Sequence, residues 1–186
     1  MTNDHLIALQ DTRDWLERAV IGLNLCPFAK AVHLRDQIHF SVSSADDSDR
    51  LLADLERELL DLQSSSPEQR DTTLLLAPDA LHEFLDLLSF LDRADAALRR
   101  MKLEGVIQIA SFHPRFQFAG TGDDDIENYT NRSPHPLLHL LREESVDRAV
   151  AAIADPEAIF GVNIARLRSL GHAGWQALGI GARRGN

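Results

Sequence analysis

One cysteine and one tyrosine are all that this 186-residue chain has of those two residue types. With Cys26 alone, no internal disulfide framework is available to staple the fold. Cationic residues are also scarce: 19 Lys and Arg stand against 29 Asp and Glu, a formal net charge of −10. Duplex nucleic acid and anionic membrane surfaces reward Lys/Arg patches, so no nucleic-acid partner and no membrane partner is expected. Long hydrophobic runs are missing too, and none approaches the ~20 apolar residues of a membrane span. Met1-Thr2-Asn3-Asp4-His5 lack the basic n-region of a secretory leader, so a soluble, cytoplasmic protein is expected.

What is present is ordinary for a folded domain: 44 % hydrophobic and 26 % charged residues. A chain of this length buries roughly 70 % of the surface its unfolded form exposes, enough to fold without disulfide or metal. No internal repeat or long linker divides it. Residues 1–178 are expected to form a single globular domain, with the glycine-rich stretch 179–186 a flexible C-terminal tail. The acidity is uneven. Residues 46–102 hold seven basic and fourteen acidic residues, net −7, whereas 1–45 and 103–186 carry only −1 and −2.

Periodicity predicts a layered α/β (or α+β) domain. Trp15, Leu16, Ala19, Val20 and Leu23 mark an amphipathic helix from Thr12 to Leu23. Ile38, Phe40 and Val42 alternate with polar residues, the period-2 pattern of a half-buried strand. Leu51, Leu55, Leu59 and Leu62 give a second helix, with Asp54, Glu56, Glu58 and Asp61 mostly on its other face. Thr72–Ala77 then predicts a buried strand, Pro78-Asp79 opens a helix reaching Leu98, and Val106–Ala110 predicts a third strand. The last third is expected to be helical. Ser133 is placed as the cap of a short helix running to about Arg142, Ser145 as the cap of another through Ile153, and Asp155-Pro156 as the start of a third. Gly171 stands where a helix C-terminal glycine would. The expectation is a small, mainly parallel or mixed sheet of three to four strands covered by helices, with residues 116–118 as a possible antiparallel return.

Three segments have residue types that neither a core nor a solvated face requires: Gly22–Lys30, Ser111–Gly122 and Asn128–Glu143. Together they resemble a bacterial family known as domain of unknown function 1415, over a stretch from Thr12 to Trp175. The string from Asn128 to Glu143 is the most specific part, although the family pattern usually carries Tyr where this chain has His135. The resemblance implies that the three segments belong together and brings no reaction with it.

Cys26 ends one helical pattern, while Pro27 can start a fresh turn with Lys30 four residues on. That second geometry would lower the thiol pKa and make Cys26 a nucleophile; the alternative is a small buried residue at a helix break. His113 follows the third strand directly, where open α/β sheets place ligands, and suits a general base; otherwise it bonds a backbone group at a strand end. His135 and His139 stand i, i+4, a spacing that would chelate a metal on a helix given a third ligand, for which His113 and Cys26 are the candidates. His139 alone, among leucines, is a candidate for a site wall. Arg132, with Asn131, Arg115 and Lys30, would hold an anionic group beside the Ser133 cap; the alternative for Arg132 is pairing with Asp123, Asp124, Asp125 or Glu127. Gly120-Thr121-Gly122 is neither a P-loop nor a dinucleotide fingerprint.

The leading expectation is an enzyme acting on a small polar or anionic molecule, with Cys26, His113 and His139 as catalytic candidates and Lys30, Arg115, Asn131 and Arg132 as ligand-binding ones. The rivals are a non-catalytic ligand-binding or regulatory module using the same pocket, and a divalent-metal-binding protein. No cofactor is specified by any motif.

Overall fold

The computed structural model describes residues 2–153, 155 and 158–181. Six α-helices and four strands occur among them: α1 (Asn3–Trp15), α2 (Ala29–Leu34), β1 (Ile38–Val42), α3 (Ser48–Ser64), β2 (Thr72–Leu76), α4 (Phe84–Arg100), β3 (Ile107–Phe112), β4 (Leu137–Arg142), α5 (Glu143–Ala151) and α6 (Ala158–Ala177). The strands form one mixed α/β sheet in the order β1–β2–β4–β3. β1 and β2 are parallel, joined across α3, while β4 lies antiparallel to both β2 and β3.

β4 corrects the sequence expectation of a helix from Ser133 to Arg142. Leu137-Leu138-His139-Leu140-Leu141 has high helix propensity, yet tertiary context overrides it. As the third of four strands, β4 is buried on both faces, so apolar residues are needed at odd and even positions alike and no alternation remains to be read. Leu138 and Leu140 join a core with Leu75, Ile107 and the apolar stripes of α3 and α4. Leu137, with Leu74 and Leu76, joins a second core beneath α1. Ser133 accordingly caps nothing; its hydroxyl donates to the His135 carbonyl at 2.6 Å.

Other boundaries shift for local reasons. The first helix starts earlier, at Asn3, where the Thr2 side chain accepts from the His5 N–H. Beyond Trp15 it widens into a π-helical stretch, Leu16–Ile21, closed by the Gly22 N–H donating to the Glu17 carbonyl at 2.9 Å. The fourth helix begins at Phe84 rather than Pro78, because the chain first turns through Leu81 at φ 55°. α5 starts directly after β4 at Glu143, so Ser145 is free to bond Asp71 instead of capping. Residues 116–118 are not a strand. At the last helix, the Asp155 carboxylate accepts from the Ala158 N–H, while Pro156 lies outside the described residues. Gly171 does adopt positive φ (64°), as a kink within α6. Of the expected tail, Ile180 packs against the second core and the Gly179 carbonyl accepts from Arg18; residues 182–186 lie outside the described ones.

The acidic faces of α3 and α4 mostly point to water, with Glu58 the exception. It is buried beneath β1, where it pairs with Arg70 and accepts from the Ser41 hydroxyl at 2.9 Å. Leaving such a carboxylate without its partner would cost about 3–5 kcal/mol, which accounts for the company it keeps.

Two-sided burial sets where the chain resists opening. Amide hydrogens of Leu74–Leu76 and Leu138–Leu140 are expected to exchange only through global unfolding, because neither sheet face opens locally. Those of α5, which buries no residue, should exchange by local opening orders of magnitude sooner. Hydrogen exchange read by NMR tests this; equal protection of α5 and β4 would contradict it.

Candidate functional site

The helical layer of α1 does not seal the sheet beneath it. Between the α1–π stretch, α2, the start of α5 and the sheet lies a pocket with about 120 Å³ open to the centres of water-sized molecules. Its wall on the sheet side is set by strand register. Leu74, His139 and Ala110 lie abreast on β2, β4 and β3, so the small Ala110 flanks the imidazole on one side and Leu74 on the other. Trp15 and Leu16 come from the roof, Cys26 and Phe28 from the approach to α2, and Phe112 from the end of β3. Trp15 and Phe112 meet edge to face, ring centroids 5.2 Å apart.

His139 and Cys26 line this apolar space, and the Trp15 indole nitrogen lies buried beside it. Trp15 is only 2 % exposed, and its Nε1–H is the one buried side-chain nitrogen or oxygen without a hydrogen-bond partner among the described residues. A buried indole N–H ordinarily finds an acceptor. His139 is half-buried on the pocket wall, and desolvation there lowers its pKa to about 4, leaving the imidazole neutral at physiological pH. Its ring makes no hydrogen bond among the described residues. Burial pushes the Cys26 thiol up from its ordinary value, against the smaller opposite pull of the Phe28 and Ala29 N–H groups. Those donors are the fresh-turn geometry expected from Pro27, but desolvation outweighs them, so the thiol is protonated rather than activated.

The end of the pocket nearest α5 carries two charged side chains, Arg142 and Asp71. The Arg142 guanidinium donates to the carbonyls of Leu62, Ser65 and Arg70, capping the C-terminal end of α3. The Asp71 carboxylate accepts from the Ser145 hydroxyl at 2.6 Å.

The fold brings Cys26 and His139 to this pocket and places the other candidates elsewhere. His113 is fully buried beside Phe84 in the opposite core. Both its ring nitrogens are occupied, Nε2 with the Leu81 carbonyl at 2.9 Å and Nδ1 with the Arg115 N–H at 3.0 Å. It therefore does the work of a strand-end structural histidine. Asn131 accepts there too, its carbonyl from the His113 N–H at 3.2 Å. Arg115 pairs with Glu83 at the surface. Arg132 stacks on Tyr129, its Cζ 4.7 Å from the ring centre, and donates to the Phe116 carbonyl and to Asp123. Lys30 is exposed on α2 and does not line the pocket. His135 lies ahead of β4, its Nε2 3.3 Å from the buried Asp11 carboxylate, so the supposed two-histidine helix face does not exist. No group of three or more His, Cys, Asp or Glu that could hold a metal occurs among the described residues. Among them, no helix is long and apolar enough to cross a membrane.

Sequence reasoning placed Trp15 only as a member of an apolar helix face. The available signal was chemical: an indole brings an N–H that an apolar stripe cannot satisfy.

A mixed α/β sheet with an apolar pocket under one helical layer, furnished with a neutral imidazole and a protonated thiol, defines a small α/β protein with a candidate ligand site. The chain belongs to the DUF1415 family, proteins of unknown function, whose model matches residues 7–177 and so includes every residue lining the pocket. No curated protein and no solved structure matches the chain.

The low pKa of His139 makes stability depend on pH in a defined window. The unfolded chain binds a proton near the ordinary value of 6.5, the folded one only near 4. Between those values the unfolded state holds more protons, so stability is level above the window and falls as pH drops through it, by ~3 kcal/mol in all. His139→Leu should flatten this stretch by about 1 kcal/mol per pH unit. Urea unfolding of both proteins at several pH values across the window checks it; parallel curves would refute the assignment.

Proposed function

We propose that this protein binds one small molecule in the pocket beneath α1. The observation carrying this reading is an apolar cavity lined by His139, whose ring makes no hydrogen bond among the described residues, beside Trp15, whose buried Nε1–H also lacks a partner. Natural cores seldom leave a buried donor unsatisfied, because each costs about 1–3 kcal/mol. A cavity bounded by apolar walls with a few convergent polar groups is the usual form of a small-molecule site. The walls supply affinity by burial, while His139 orients a polar head group.

A second reading, an enzyme with Cys26 as nucleophile and His139 as the base that takes its proton, is favoured by their sharing the pocket. Burial works against it in the empty site, since it favours the neutral form of both groups. Alkylation by iodoacetamide separates the readings. For a binding site, the rate at Cys26 is expected below that of a free peptide thiol and to rise only at alkaline pH beyond the ordinary thiol range. A rate that titrates below pH ~8 would restore the nucleophile.

The binding reading makes Trp15→Phe informative. The variant keeps a ring in the wall and removes the unpartnered donor, so the empty protein should be as stable as the parent or more so, by up to ~1 kcal/mol. A thermal-shift screen of fragment-sized compounds should find ligands that stabilise the parent by ~2.7 kcal/mol at a hundredfold excess over Kd, and His139→Leu, which loses the polar contact, less. Stabilisation by no fragment, or equal stabilisation of both proteins, would defeat the proposal.

A further inference from the structure

We propose that α5 is a hinged lid on this pocket, swinging about Glu143 and latched by the hydrogen bond from Ser145 to Asp71. The lid rests on the binding reading above only for what passes beneath it; its motion belongs to the empty protein.

The hinge is set by an abrupt change in how firmly the chain is held. Arg142 ends β4, and its guanidinium donates to the carbonyls of Leu62, Ser65 and Arg70, which pins that residue to the α3–β2 connection. α5 begins at the next residue and buries none of its nine, and no side chain caps its first turn. Among the described residues, two hydrogen bonds tie it to the rest of the chain. The Glu143 N–H donates to the Val106 carbonyl at 3.0 Å, and the Ser145 hydroxyl donates to Asp71 at 2.6 Å. The first lies at the hinge itself, so the second is the tie on the moving part. Hinges of lids are commonly such element-terminal residues.

Packing adds little to that tie. Residues three apart share a helix face, and on α5 Val146 and Ala149 both line the pocket. They look onto unfilled space rather than a filled layer, while Val150 on the same helix is 36 % exposed. A side chain facing a void forfeits its contacts on that side. Little buried apolar surface and few ties are the marks of a segment that opens locally. α2 buries none of its residues either. There, however, the chain is held on both sides, by Asn163 at the Leu25 carbonyl and by the pairing of β1 with β2.

What α5 covers follows from its latch. Thr72 directly follows Asp71, is 5 % exposed and lines the pocket, so release of α5 uncovers it. An occupant supplies the apolar surface that Val146 and Ala149 lack. The closed position therefore gains most when the pocket is filled, and the lid shuts on what it admits.

Two measurements on the full chain test the lid: hydrogen exchange of the α5 amides, and iodoacetamide labelling of Thr72→Cys in a Cys26→Ser background. Ser145→Ala removes the latch. Both rates are expected to rise about fivefold, the usual worth of one hydrogen bond. Ser145→Thr keeps the hydroxyl and should stay near the parent in both. Phe90→Leu, in the opposite core, weakens the whole domain. There the β4 amides should exchange faster while α5 exchange and labelling at position 72 keep the parent's rates, because local opening leaves that core intact. Rates unmoved by Ser145→Ala overturn the latch. α5 amides that follow β4 in Phe90→Leu overturn the hinge. Faster α5 exchange with unchanged labelling overturns the lid, since the helix then loosens without uncovering the pocket. In each case the small-molecule site survives. Failure of every fragment in the screen above, with exchange and labelling as expected, would instead remove the site and leave the hinged helix.

Discussion

A strand covered by other elements on both faces leaves little room for a polar residue, and β4 places the half-buried His139 there. The imidazole must either find a partner in the core or stay neutral beside a space. Its cross-strand neighbours, Leu74 and Ala110, offer no hydrogen bond from their side chains. His139 instead stands on the wall of the pocket beneath α1. Thus the same two-sided burial that stabilises the sheet through Leu138 and Leu140 also makes the site beneath α1.

A roof over unfilled space cannot be held by packing alone, and polar ties take up the difference. His5 reaches Asp79 at 2.7 Å, just beyond β2, and Asp11 faces His135 at 3.3 Å, just before β4. These two contacts fix α1 against the sheet near its start and again towards its end. The π-helical stretch then widens the helix where Leu16 and Val20 line the pocket. Such bulges are rare and recur at functional sites. Below it, α6 grips the connection to Cys26: Asn163 donates to the Leu25 carbonyl at 2.7 Å and Arg166 to the Leu23 carbonyl. The position of the thiol therefore depends on a helix more than 130 residues away in sequence.

The elements legible in the sequence were those with one wet face. α3 and α4 show clear stripes of leucine against acid, and β1 alternates, because water on one side imposes a period. β4 has water on neither side, so its period vanished and helix propensity filled the gap. Glu58 was unreadable for a related reason: it sits on the acidic face by spacing, yet the edge of β1 folds over it and brings Arg70. The candidate site was legible only in part. Cys26 and His139 lie in segments whose residue types fit neither core nor surface, and they do line one pocket. His113 and Arg132 stood out on the same ground, but both are consumed by backbone carbonyls that no one-dimensional pattern reveals. Odd residue types mark places where the chain has an unusual polar obligation. They do not say whether the obligation is to a ligand or to the fold itself.

The electrostatics follow the same division. Most of the net charge of −10 belongs to residues 46–102, largely on the outer faces of α3 and α4, on the opposite side of the sheet from the pocket. Around the pocket, burial drives the system towards neutrality from both directions, lowering the imidazole pKa and raising that of the thiol. A preformed ion pair between these two groups would need a thiolate and an imidazolium, the two forms that this environment disfavours. Any proton movement between them must therefore be driven by what enters. A ligand that bonds His139 would restore part of the polar surroundings that burial removed, and so change the balance at the moment of binding. The empty pocket is held neutral and unsatisfied, and for that reason its chemistry is decided by the hydrogen bonds its occupant brings.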